Sequence, residues 1–154
     1  MDDMKEKAYI FGSIFILSNK LQVLGDRLDR TLTVKQWLLL AGIYKSSKEN
    51  PTISEVAALI GNSRQNVKKM VVILEKAGFI TIENDSNDAR VQRIKLTKKC
   101  LDYLVQRGKS ELDFMEQLFE GFESMELKAM VNGISRLEKN IVKMARLNSD
   151  EEKE

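Results

Sequence analysis

Two clusters carry the residues of this 154-residue chain best suited to specific chemistry. The first is Ser63-Arg64-Gln65-Asn66 with Lys68-Lys69; the second is Asp88, Arg90 and Arg93. Their chemistry is recognition rather than turnover. An arginine fork reads guanine bidentately, and a Gln or Asn amide reads adenine, so Arg64, Gln65 and Asn66 suit base edges. Lys68 and Lys69 suit phosphate, which fixes position without reading sequence. Catalysis has no comparable set. The chain contains no His, which removes the commonest general base and the commonest metal ligand together. A Gly-rich phosphate loop, a Cys/His cluster and a Ser/His/Asp set are likewise missing. Neither an enzyme nor a metal or cofactor site is expected.

Charge points the same way. From Asn62 to Lys99 there are nine bases and four acids, a net +5, against +2 for the whole chain and −3 for the remainder. Such a concentration is the footprint expected of a face for double-stranded DNA. Taken alone, a charge run also describes a solvated helix face. The elements around it decide.

Those elements lie between Thr52 and Lys99. Ser54 is the expected N-cap of a short helix ending at Ile60, with Val56, Ala57 and Leu59/Ile60 as its apolar stripe. Gly61 stops it by entering the left-handed conformation. Ser63 then caps a second helix to about Ala77, with Val67, Met70/Val71 and Leu74 inward. After Gly78 the period changes to two: Ile80 and Ile82, then Ile94 and Leu96, alternate with polar residues as in a half-buried hairpin. Its tip, Asn84–Asp88, is built of turn formers. Helix, turn, helix and hairpin make a winged helix, whose second helix enters the major groove in such folds.

At this point the residues resemble a family. The stretch DSNDARVQRIKLTKK is similar to the wing signature of the multiple-antibiotic-resistance regulator (MarR) family, and SRQNVKKMVVILEKAGFI resembles its recognition helix. The most specific matches are Leu74-Glu75…Gly78 and Asp88-Ala89-Arg90…Leu96-Thr97, and the resemblance extends over essentially the whole chain. It implies a ligand-responsive repressor, with Arg90 entering the minor groove from the wing tip and Asp88 orienting the wing arginine. It also implies a lipophilic or phenolic effector between the helical region and the winged helix. Phe15, Trp37 and Tyr44 are the residues whose expected location suits that pocket, although Trp37 reads first as a core residue. The chain departs from the family pattern at Ala89, Glu83 and Lys68, which bears on affinity and operator sequence.

The flanks complete the expected fold class: mainly α with a small β-hairpin wing, a winged helix-turn-helix flanked by long N- and C-terminal dimerisation helices. Residues 5–30 carry Ile10, Ile14, Leu17, Leu21, Leu24 and Leu28 at 4-3-4-3-4 spacing, the seam of a helix packed lengthwise on another. Thr33 with Gln36 forms a capping box, Leu32 with Trp37 a hydrophobic staple, and the helix that follows reads as centrally buried. Pro51-Thr52-Ile53 is expected as a short strand beside the wing. Thr97 caps a helix over about Lys98–Phe122, and Glu126–Leu147 carries a second seam at 3-4-3-4-3 spacing. Two matching seams suggest a two-fold homodimer; burial within a monomer is the alternative. The expected division is 1–30 and 98–147 for dimerisation, 31–97 for the winged helix, and 148–154 as an acidic tail.

No run is expected to approach the ~20 apolar residues that cross a bilayer. The single Cys suits a reducing cytoplasm. Cys100 itself reads either as a small core residue or as a thiol activated by Lys98, Lys99 and a helix N-terminus. A winged helix that docks a protein partner without binding DNA is the rival to the regulator reading, supported by Glu83 and Asp85 near the wing.

Overall fold

The structure, a computed structural model, describes residues 3–151, and of 148–151 the backbone alone. In chain order it comprises α1 (Asp3–Leu28), α2 (Val34–Lys45), α3 (Ile53–Ile60), α4 (Arg64–Lys76), β1 (Ile80–Asn84), β2 (Gln92–Leu96), α5 (Lys98–Leu118) and α6 (Ser124–Glu151). Two compact units result, Met1–Gln106 and Arg107–Glu154.

In the first unit the starts of α2, α3 and α4 and the ends of α3 and α4 have local chemical causes. Thr33 Oγ1 accepts from Gln36 N at 3.2 Å while Gln36 Oε1 accepts from Thr33 N at 3.0 Å, the reciprocal capping box that starts α2. Asp26 Oδ1 accepts from Val34 N at 2.7 Å, joining the end of α1 to the start of α2. Gly25 permits that approach, since a Cβ there would lie 2.2 Å from Val34 Cγ2.

The N-cap of helix α3 lies two residues earlier than the sequence suggests, at Thr52 and not at Ser54. Thr52 Oγ1 accepts from Glu55 N at 3.2 Å, and Glu55 Oε2 accepts from Thr52 N at 2.9 Å. Ser54 has Ala57 three residues on, which cannot return a bond, so the reciprocal box wins. Lys48 Nζ sits 2.6 Å from Glu55 Oε1 and, with the Thr52 amide, holds that carboxyl below its ordinary range. Gly61 closes α3 in the left-handed conformation at φ 64°. Ser63 Oγ accepts from Asn66 N at 3.2 Å and starts α4. At the other end, Phe79 N donates to Leu74 O and Gly78 N to Glu75 O, both at 2.9 Å. That double bond around a glycine at φ 78° is a Schellman stop.

The hairpin pairs Ile80 with Leu96 and Ile82 with Ile94. The extended segment at Pro51 joins it through one bridge, Thr52 to Arg93, with Ile94 N donating to Pro51 O at 2.9 Å. It stops at one bridge because Ile53 is already helical. Leu39, Leu40 and Ile43 of α2, Val56 and Ala57 of α3, Val67, Val71 and Leu74 of α4, and Ile80 and Ile94 of the hairpin form one core. Helix α2 is buried on one face only, since Leu38 and Tyr44 are exposed. Cys100 belongs to the core and burial pushes its thiol up to about 11, which removes the activated-thiol reading.

The second unit holds the distal part of α5 and α6. Helix α5 ends at Leu118, four residues short of the expected Phe122, where Gly121 turns the chain at φ 84°. Helix α6 starts at Ser124 and continues to Glu151. The segment expected as a tail from 148 is therefore helical through 151, and residues 152–154 lie outside the described residues.

The long helices carry unpartnered apolar faces. Within α1 only Gly25 is buried; Ile10, Ile14, Leu17, Leu24 and Leu28 are exposed, as are Ile134, Leu137, Ile141 and Met144 of α6. Faces of this kind mark interaction surfaces. By length and composition α1 is also apolar enough to cross a membrane, contrary to the expectation from sequence. Its spacing of apolar residues and the charge at Lys20 fit a helix packed along another equally well.

Candidate nucleic-acid interface

Because Val67, Val71 and Leu74 turn inward, the same helical period turns the first turns of α4 outward. Ser63, Arg64, Gln65, Asn66, Lys68 and Lys69 are all exposed. They surround a helix N-terminus, where unpaired N–H groups and the helix dipole favour an anion. Asn66 gives one amide hydrogen to Asn62 Oδ1 at 3.2 Å, which leaves its other hydrogen and its oxygen for an outside partner.

The wing supplies the opposite wall. Arg90 has a side chain 92% exposed, with its Nε 3.2 Å from Asp88 Oδ1; the same oxygen accepts from Arg90 N at 3.0 Å. Asp88 thus grips the base of an arginine that otherwise reaches into solvent. Between the start of α4 and the wing lies an open cleft of about 560 Å³ lined by Thr52, Ile53, Ser54, Arg64, Gln65, Lys68, Arg90, Val91 and Gln92. Its walls carry three cations, two side-chain amides and two hydroxyls, and no carboxylate. Such a lining is built for a polyanion.

Of the residues selected from sequence, Arg64, Gln65, Lys68 and Arg90 meet in this cleft. Ser63, Asn66 and Lys69 flank it on the exposed turns of α4. Arg93 has a different placement. Its Nε is ion-paired with Asp85, and its Nη1 donates to Asn50 O at 3.2 Å. Arg93 braces the wing to the loop before α3, and Asn50 holds that loop at φ 50°. Asp85 is kept below the ordinary carboxylate range first by the Arg93 hydrogen bond and then by the Asn87 amide. Of the two acids near the wing that seemed to oppose DNA, Asp85 is therefore neutralised within the wing. Lys99 also turns away, toward the carbonyl of Ala77 at 2.6 Å.

Sequence reasoning missed Ser54 and Gln92. Ser54 was assigned to capping; Thr52 takes that role and leaves the Ser54 side chain at the cleft wall. Gln92 lies two residues after Arg90 and looked like an ordinary strand position. Phe15, Trp37 and Tyr44 do not line this cleft. Phe15 meets Phe11 edge-on at 5.2 Å, Tyr44 is exposed and Trp37 is half-buried.

The MarR family model matches residues 32–91, from the start of α2 into the wing. The transcriptional repressor MprA of Escherichia coli (strain K12) is 27% identical over 112 residues, which is 71% of this chain and 64% of the repressor. The chain thus matches a little under two thirds of that relative's length. A MarR/EmrR family transcriptional regulator from Acinetobacter sp. ADP1 shares the fold with a TM-score of 0.78 at 18% identity, over 89% of this chain and 97% of that one. The transcriptional regulator BldR from Sulfolobus solfataricus does so at 0.77 and 17% identity, over 91% and 99%. Over residues 32–91 the chain is therefore similar to the multiple-antibiotic-resistance regulator (MarR) family, and it shares the fold of solved regulators of that kind.

Proposed function

We propose that this protein is a sequence-specific, DNA-binding transcriptional regulator of the repressor kind, acting in the cytoplasm as a homodimer on a pseudo-palindromic operator. The observation that carries the reading is the acid-free cleft that gathers Arg64, Gln65, Lys68 and Arg90 between a capped helix N-terminus and the wing. In use, α4 lies in a major groove and Arg90 reaches the neighbouring minor groove. The phosphate strand between the two grooves then occupies the cleft. Two-fold symmetry sets the half-sites about 34–36 Å apart. The stretch from α2 to the wing is the reading head, and the exposed seams of α1 and α6 supply the dimer.

Effector response follows from linkage. A lipophilic or phenolic ligand that prefers one spacing of the two heads weakens or strengthens DNA binding reciprocally. Support for this part comes from the family resemblance alone, and Phe15 of α1 with Trp37 and Tyr44 of α2 remain the candidates. Native mass spectrometry of the purified protein tests it by the mass of any retained ligand.

The deciding experiment is selection of duplexes from a random DNA pool at two salt concentrations. A regulator yields a pseudo-palindrome whose log affinity falls with log salt at about −0.9 per neutralised phosphate. A partner-binding winged helix yields no motif and weak, salt-flat binding, and that result overturns the reading. The structure removes part of the support for this rival, because Asp85 is already paired with Arg93.

A further inference from the structure

The first turns of α5 hold the far end of the reading helix. Thr97 donates its hydroxyl to Gly78 O at 2.7 Å and accepts from Cys100 N at 3.2 Å. Lys99 places its ammonium 2.6 Å from Ala77 O and 5.0 Å from the centre of the Phe79 ring. One turn later, Tyr103 sets its ring edge-on against Phe79 at 5.3 Å. Its hydroxyl donates to Asp29 Oδ2 at 2.6 Å. The other Asp29 oxygen accepts from Thr31 N at 2.8 Å and Leu32 N at 3.3 Å, closing the turn between α1 and α2.

Phe79 is the joint of this assembly. It is buried, lies three residues past the end of α4 and directly precedes β1. We infer that Lys99 and Tyr103, four residues apart on α5, are positioning residues that clamp the exit of α4 to the α1–α2 turn and so fix how Arg64 and Gln65 are presented. The inference rests on the DNA-binding reading above. The physics is local: the last carbonyls of a helix carry the negative end of its dipole, and a cation there stabilises it. Glycine and the Schellman bonds take care of Leu74 and Glu75, and Lys99 takes Ala77. Thirteen residues separate that end from Ser63, roughly 20 Å of helix, so Lys99 acts away from the cleft although its sequence position places it among the bases counted there.

The test uses the full chain with Lys99→Met, Lys99→Arg and Tyr103→Phe. Hydrogen exchange is read at the Ala77, Gly78 and Phe79 amides, which close α4. Lys99→Met speeds their exchange about fivefold, Lys99→Arg restores it, and Lys98→Met leaves it alone, since Lys98 pairs outward with Asp102 at 2.7 Å. Affinity for the palindromic duplex selected from the random pool drops about threefold or more in Lys99→Met and in Tyr103→Phe. The salt slope keeps its wild-type value in both, whereas Lys68→Ala lowers it by about 0.9. Unchanged exchange in Lys99→Met overturns the clamp. A slope lowered by about 0.9 in that variant also overturns it, because Lys99 would then touch phosphate. Wild-type affinity in Tyr103→Phe removes the Asp29 tether. Should the wild-type chain select no duplex, the DNA reading falls, and the exchange rates alone decide the clamp.

Discussion

Two wing arginines three residues apart look alike in the sequence and do different work in the structure. Arg90 is held at its base by Asp88 and is otherwise free in solvent; Arg93 is spent on Asp85 and Asn50. Arg90→Ala is therefore expected to weaken the selected duplex about tenfold, ~1.4 kcal/mol, while the thermal melt and the dimer stay as they were. Fluorescence titration beside a melting curve checks this, and unchanged affinity takes the wing out of the interface. Gln65→Ala and Asn66→Ala are expected to relax base preference by about 1–3 kcal/mol each. Competition with single-base operator variants measures it; equal losses on operator and random DNA would make both residues phosphate contacts. Asp85 gives a pH signature. Its folded-state pKa lies below the ordinary 3.8, chiefly through Arg93, so its contribution is full above that value and is lost as pH falls through the lower one. Urea unfolding of wild type and Asp85→Asn should differ at pH 7 and converge below about pH 4. A gap that does not narrow as the pH falls below about 4 would mean the carboxylate charge is not what stabilises the wing. Residue type alone showed which side chains could bind DNA. It could not show which were already committed, because Arg93 finds its partner across the wing turn.

At the scale of elements, what could be read from sequence was what is settled within three or four residues. The Thr33–Gln36 box, the Ser63 cap, the Gly61 stop and the period-two alternation of Ile80 with Ile82 and of Ile94 with Leu96 are all local choices, and all occur. Errors arose where two local choices competed. Thr52 and Ser54 are both good caps, and only the return bond from Glu55 separates them. Similarly, apolar residues continue past Leu118 with the helical period intact, yet Gly121 turns the chain. The α3–α4 turn offers the cleanest check, because Gly61 sits at φ 64° with open space around its Cβ position. Gly61→Ala is therefore a test of backbone strain free of any clash. It should cost about 1–2 kcal/mol, and Gly61→Asn less, since Asn tolerates the left-handed region. Denaturant midpoints decide it; equal stability of all three would mean that the turn relaxes into another conformation. A relaxed turn would also misdirect α4, so the Ala variant should lose operator affinity beyond its loss of stability.

For the whole molecule, the cleft and the seams must be considered together, since neither explains the chain alone. A single reading head offers the cations Arg64, Lys68 and Arg90 in its cleft, enough for general affinity to DNA but few contacts for discrimination. Meanwhile α1 and α6 expose whole rows of apolar side chains, Ile14 and Leu17 on one, Ile134 and Ile141 on the other. Exposed rows of this length are costly in water and are stabilised by covering one copy with another. The apolar rows were legible from their spacing, whereas the surface each one faces was not, because spacing marks an apolar face without naming its partner. The double variant Ile14→Glu/Ile141→Glu places two charges on those rows without touching the winged helix. It should sediment as a monomer with the wild-type helical content. Because a monomer can neutralise only one half-site, its salt slope should fall to about half that of wild type. Its affinity should approach the non-specific range of about 10⁻⁴–10⁻⁶ M. A variant that remains dimeric would place the dimer contacts elsewhere on the chain. A monomer that keeps both slope and affinity would show that one head suffices, and the pseudo-palindrome would then have no structural basis.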